Sequence, residues 1–173
     1  MASTPTIKVG DEIPSATFTY VPWSAELEDK SFCGLPVPLK TDEWKGKKVV
    51  VVAVPGSFTR TCHGQVPGYL AHIGEFKSKG IDEVVVLASN DPFVQSGWGR
   101  FQGIKDEIKF ISDTDLAFTS KLGLTLDLTA RGLGVRAQRY VLVLDDLKVT
   151  KFWVEPNSGA VSVTGAEEVL KEL

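Results

Sequence analysis

Apolar residues along the chain gather into short β-branched runs, and the polar stretches between them are long enough for helices. Lys48 to Val54 is almost wholly apolar and β-branched, which predicts a strand covered on both faces in the middle of a sheet. Glu83 to Ala88 repeats that pattern, and Ile108 to Ile111 gives a shorter third strand. Ala16 to Val21 alternates between Pro14 and Pro22, as a short edge strand or hairpin arm does. Near the end, Arg139 to Leu144 and Lys148 to Val154 flank Asp145-Asp146 as the arms of a hairpin.

Four stretches predict helices. The first is capped by Thr59 or Thr61 and runs to about Lys79, with Val66, Leu70 and Ile73 on one face, a bend at Pro67 and a stop at Gly80. The second spans Asp91 to Gln102, interrupted by Gly97 and Gly99. The third runs from Asp113 to Leu122 with Asp113 or Thr114 as cap, and the last from about Gly165 to Leu173. Ser24 to Lys40 is polar and proline-rich and reads as a loop; Gly123 to Gln138 reads as a glycine-punctuated one. Met1 to Thr6 is small, polar and loose.

The resulting order β-α-β-α-β-α-β-β-α implies an α/β protein whose central mixed sheet is flanked by helices on both faces. A thioredoxin-like fold satisfies it. At 173 residues and 43% hydrophobic content, one domain over 1–173 is expected, with enough core to fold without disulfides. The net charge of −3 gives no basic surplus for nucleic acid. With no signal-peptide pattern and no apolar run of membrane-spanning length, a soluble, cytoplasmic protein is expected. Lys171-Glu172-Leu173 reads as a helix end and not as a targeting tripeptide.

The chemistry gathers where the valine-rich strand turns through Pro55 and Gly56 into the first helix. Cys62 falls in that helix's first turn, facing unpaired amide N–H groups and about half a positive charge, which favour thiolate over thiol. Cys33 lies in the proline-rich loop, from which a thiol can approach a partner. Gly132-x-Gly134 precedes a strand instead of opening a helix, so it does not read as a phosphate cradle. His63 adjoins Cys62, but neighbours on a helix point about 100° apart, which places it poorly as a base. Two cysteines and two histidines without ligand spacing make no metal site.

Pro55-x-x-x-Thr59-x-x-Cys62 resembles the active-site motif of peroxiredoxins. The longer Val54-Pro55-Gly56-Ser57-Phe58-Thr59-x-Thr61-Cys62 is similar to that of their type-5, alkyl-hydroperoxide-reductase-like branch. The resemblance implies a thiol-dependent peroxidase in which Cys62 attacks a hydroperoxide, Pro55 shields the sulfur and Thr59 hydrogen-bonds thiolate and peroxide. Arg139, in Arg139-Tyr140, matches the distant arginine that completes the pocket, with Arg136 as the alternative three residues earlier. It further implies Cys33 as the resolving thiol, an external dithiol such as thioredoxin as reductant, and a homodimer, and it suggests the pocket rim and dimer contact for Trp98 and Phe93, which from the residues alone read as core. No metal, flavin or haem is implied.

The resemblance extends from Gly10 to Leu173, with departures at three places. Arg60 stands where proline is common, His63 where serine or threonine is usual, and the segment between Cys62 and Pro67 is one residue short. A deleted residue is about 100° of helical rotation, so a local bulge is lost or the helix start is remodelled. Two other readings stay open: a thiol-disulfide carrier or redox sensor without peroxidase turnover, and a non-enzymatic holdase that has kept the fold.

Overall fold

A computed structural model describes residues 1–173, and its main sheet is built around the valine run. The strands are β1 (Thr17–Tyr20), β2 (Val37–Lys40), β3 (Lys48–Ala53), β4 (Glu83–Ala88), β5 (Lys109–Ser112), β6 (Thr125–Asp127), β7 (Val135–Ala137), β8 (Tyr140–Asp145) and β9 (Lys148–Val154). Seven of them form a sheet in the order β2-β1-β5-β4-β3-β8-β9, and β6 and β7 pair separately. β3, β4 and β5 are parallel; β8 pairs antiparallel with β3 and β9, and β1 antiparallel with β2 and β5.

β3 is central, and its alternation divides the core. Val49, Val51 and Ala53 enter one hydrophobic cluster, Val50 and Val52 the other, and all five are fully buried. Each buried valine contributes about 1.5–3 kcal/mol. Helices α1 (Arg60–Ala71), α2 (Ile73–Ser78), α3 (Pro92–Phe101) and α5 (Ala166–Lys171) each send buried residues into the cluster that holds Val50 and Val52. Against the opposite cluster lies α4 (Ala117–Lys121), whose Phe118 meets Phe18 edge-on beside Trp44. This is the thioredoxin-like α/β arrangement with helices on both faces.

Several elements differ from the sequence reading. The Ser24–Lys40 stretch is not loop throughout: Val37–Lys40 pairs with β1 as the sheet's edge, with Pro38 tolerated there because an edge strand has one side without ladder bonds. The long helix from Cys62 breaks at His72, which leaves helical backbone at φ −103°, ψ 12°. Its buried stripe is Cys62, Val66 and Tyr69, with Leu70 and Ile73 only partly covered. Gly97 and Gly99 do not interrupt α3; Gly99 is there because a Cβ would come 2.9 Å from the Phe110 ring. The Asp113–Leu122 helix shrinks to α4, since Leu116 turns to φ 58° and the Asp113 carboxylate accepts the amides of Phe118 and Thr119. Within Gly123–Gln138, β6 and β7 form a small hairpin.

Candidate active site around Cys62

The end of β3 delivers the thiol. After Val54, Pro55 to Thr59 forms the turn, with Phe58 at φ 60°, and Thr59 occupies the N-cap of α1. Cys62 is therefore the third helical residue, among the orphan amides of the first turn. It is completely buried. Thr59 donates its hydroxyl proton to the carbonyl of Gly56 at 2.9 Å and not to the sulfur, contrary to the bond to the thiolate that the resemblance implies, so towards a bound peroxide it can only accept.

Arg139, just ahead of β8, reaches the sulfur: its Nη2 lies 3.3 Å from Cys62 Sγ. This guanidinium is 1% exposed, and no carboxylate comes within 4 Å of it. Its Nε and Nη2 donate to the carbonyl of Ser158 at 3.1 and 2.9 Å, and its Nη1 donates to Gln65 Oε1 at 2.6 Å. A buried, uncompensated charge costs several kcal/mol. Of the groups bonded to this one, only the Cys62 sulfur can carry the opposite charge.

A second layer holds the arginine's partners. Gln65 Nε2 donates to the carbonyl and hydroxyl of Thr164 at 2.8 and 3.0 Å, and the Tyr69 hydroxyl donates to the same carbonyl at 2.5 Å. Burial drives the Tyr69 phenol well above its ordinary range, so it stays a donor. Glu155 closes the loop by accepting the amides of Ser162, Val163 and Thr164 and the hydroxyls of Ser162 and Thr164. Burial would raise the Glu155 pKa, but those bonds outweigh it and hold the carboxyl at about 2.

The structure thus brings Pro55, Thr59, Cys62 and Arg139 together, and it decides between the two arginines. Arg136 reaches the Pro55 carbonyl and Asn90 instead of the thiol. His63 is turned away, its Nδ1 accepting from Trp98 Nε1 at 3.1 Å. Trp98 is buried core and Phe93 is half-exposed. The α1 backbone runs as plain α-helix past the missing residue, with no bulge. Gln65, Ser158, Glu155 and Thr164 went unrecognised in the sequence. Only Gln65 carries a signal, its i,i+3 spacing from Cys62 on one helix face.

Cys33 is not joined to this cluster; both cysteines are free, one exposed and one buried. Its loop is folded back on α3, where Arg100 Nη1 donates to the carbonyls of Leu27 and Phe32, both at 3.0 Å. Lys105 adds an ion pair to Glu28 at 2.6 Å. Next to Cys33, Gly34 sits at φ +73° with Val21 2.6 Å from where a Cβ would be, so no other residue fits without a shift.

The chain matches the Redoxin family over residues 8–170. A peroxiredoxin-type sequence of Malassezia furfur is 48% identical over 96% of this chain and all of its own length. Peroxiredoxin-2D of Arabidopsis thaliana is 41% identical, covering 96% of this chain and 98% of the plant protein. Reduced Prx3 of Vibrio vulnificus, solved in complex with hydrogen peroxide, superposes with a TM-score of 0.83 at 34% identity over 96% of each chain. With this agreement along its whole length, the chain belongs to the Redoxin family and, within it, to the peroxiredoxins, which are thiol-dependent peroxidases.

Proposed function

We propose that Cys62 is the peroxidatic residue of a two-cysteine, type-5 peroxiredoxin and that Cys33 resolves its sulfenic acid. The carrying observation is the buried Arg139 guanidinium, which bonds two neutral acceptors and one sulfur. Of those three partners only the sulfur can carry a negative charge. Thiolate attacks the terminal oxygen of a hydroperoxide, the O–O bond breaks, and the proton lost by the thiol returns to the departing water or alcohol. Arg139 also faces the charge growing on the leaving oxygen. Cys62 sulfenic acid then condenses with the Cys33 thiol, releasing water, and a thioredoxin-type dithiol reduces the disulfide.

Disulfide geometry requires the two Cα atoms within about 7 Å, so a buried Cys62 must emerge by opening the first turn of α1. We infer a homodimer with the bridge between chains. Phe58, Phe93 and Phe101 support this, since all three are about half exposed or more, and Phe58 and Phe101 touch edge-on at 5.9 Å.

The test combines rapid mixing with a non-reducing gel. Cys33→Ser is expected to keep fast oxidation by peroxide yet stop recycling by thioredoxin, and Cys62→Ser to lose both. Oxidised wild type should run as a covalent dimer that neither variant forms. Undiminished turnover in Cys33→Ser would remove Cys33 from the mechanism, and a Cys62 no faster than a free thiol would leave only a sensor.

A further inference from the structure

The arginines and lysines of this chain are used differently. Seven lysines (45, 47, 48, 105, 109, 151 and 171) form ion pairs with carboxylates. None of the five arginines does. Arg100 holds the Cys33 loop, while Arg60, Arg131 and Arg139 line one cleft of about 370 Å³ and Arg136 lies against Pro55 beside it. The buried end of that cleft is Pro55 and Arg139, next to the thiol; Arg60 and Arg131 are exposed at its rim.

Arg139 and Arg136 are both engaged by neutral oxygens, whereas the guanidinium groups of Arg60 and Arg131 make no hydrogen bond or ion pair to the protein. Glu155 also lines the cleft, but its carboxylate is taken up by Ser162 to Thr164. Leu126, Leu128 and Leu133 also line the cleft. Hydrogen peroxide is about the bulk of two waters, at roughly 30 Å³ each. The cleft is several times larger, with an apolar wall and two free cations at its outer end, in a protein of net charge −3.

We propose that this cleft recognises hydroperoxides carrying a carboxylate on an apolar chain, with Arg60 and Arg131 holding the carboxylate while the peroxide group reaches Cys62. Fatty-acid hydroperoxides are the chemical class that fits. Arg60 stands at the first position of α1, so the carboxylate also meets the positive end of that helix. The proposal rests on the peroxidase reading and adds which peroxides the site prefers. The chemical step is unchanged: Cys62 takes the terminal oxygen, the O–O bond breaks, and the alkoxide leaves as the hydroxy acid after taking up the proton the thiol gave to solvent.

The probes are a C18 fatty-acid hydroperoxide below its micelle concentration, its methyl ester, and hydrogen peroxide. Each oxidation rate of Cys62 is divided by the same variant's rate with hydrogen peroxide, which cancels general damage to the site. In wild type the acid should exceed the ester about tenfold, less at high salt. Arg60→Ala with Arg131→Ala should bring that ratio near one, and Arg131→Glu should take the acid below the ester. Equal rates for acid and ester in wild type, or a ratio that survives both substitutions, would overturn the proposal. So would a defect confined to reduction by the dithiol, which would make the arginines a protein-docking patch. Hydrogen peroxide reacting no faster with Cys62 than with a free thiol would instead sink the peroxidase reading itself.

Discussion

Around Cys62 the polar neighbours are buried and bonded to one another, whereas the loop of Cys33 is exposed and held by two carbonyl contacts and one surface ion pair. The first arrangement resembles a vice. Arg139, Gln65, Thr164 and Glu155 fix one another in sequence, so moving the guanidinium would leave several buried groups without partners. The second is a latch, since exposed ion pairs contribute about 0–1 kcal/mol and a neutral hydrogen bond about 1 kcal/mol. A thiol that must meet a small oxidant benefits from fixed geometry. One that must travel to a sulfenic acid needs a loop that detaches at little cost.

Removing the guanidinium should have the largest effect. Arg139→Met is expected to slow oxidation of Cys62 by about 10²–10³-fold in stopped-flow measurements, the usual cost of losing a donor that faces developing charge. Stability should fall as well, because Gln65 Oε1 and the Ser158 carbonyl lose their donor, so the rate is measured at denaturant-free conditions where the variant is folded. Wild-type rates in that variant would make the vice structural only.

Next comes Glu155→Gln, which attacks the vice at its far end. The folded carboxyl titrates at about 2 against an ordinary value of 4.5, so its stabilisation is fully present above about 4.5 and is lost as pH falls from there towards 2. The gap corresponds to about 3 kcal/mol. Denaturant midpoints should therefore drop in the variant at pH 7, and its stability should vary less than that of wild type between pH 5 and 2. Parallel curves for the two proteins would remove Glu155 from the clasp.

The smallest effect is expected at the latch. Arg100→Ala removes the two bonds to Leu27 and Phe32, so amide exchange across residues 27–34 should speed up by about tenfold. Disulfide formation after peroxide should quicken as well, while the rate of the first oxidation stays that of wild type. If exchange is unchanged, something other than Arg100 sets the loop's opening.

Much of this was legible from local pattern. Lys48 to Val54 and Glu83 to Ala88 are strands because β-branched residues in unbroken apolar runs have no other economical burial, and β4 has the predicted bounds. Pro55, Thr59 and Cys62 stand in one short segment whose spacing sets their geometry, whereas the resemblance favoured Arg139 without excluding Arg136. The β2 edge and the β6–β7 hairpin escaped because their strands are short and lack an apolar run, and the break at His72 because it is a backbone torsion that no residue type announces.

By itself the sequence determined the strand that carries the thiol, the turn that ends it and the helix start that surrounds the sulfur with amides, since these are set by neighbours a few residues apart. Tertiary structure alone decided that Arg139 and not Arg136 meets the thiol, that Gln65 and the Glu155–Thr164 loop hold it there, and that Arg60 and Arg131 share a cleft. Those facts depend on contacts spanning some 70 to 100 residues of chain, where folding and not spacing fixes the distance.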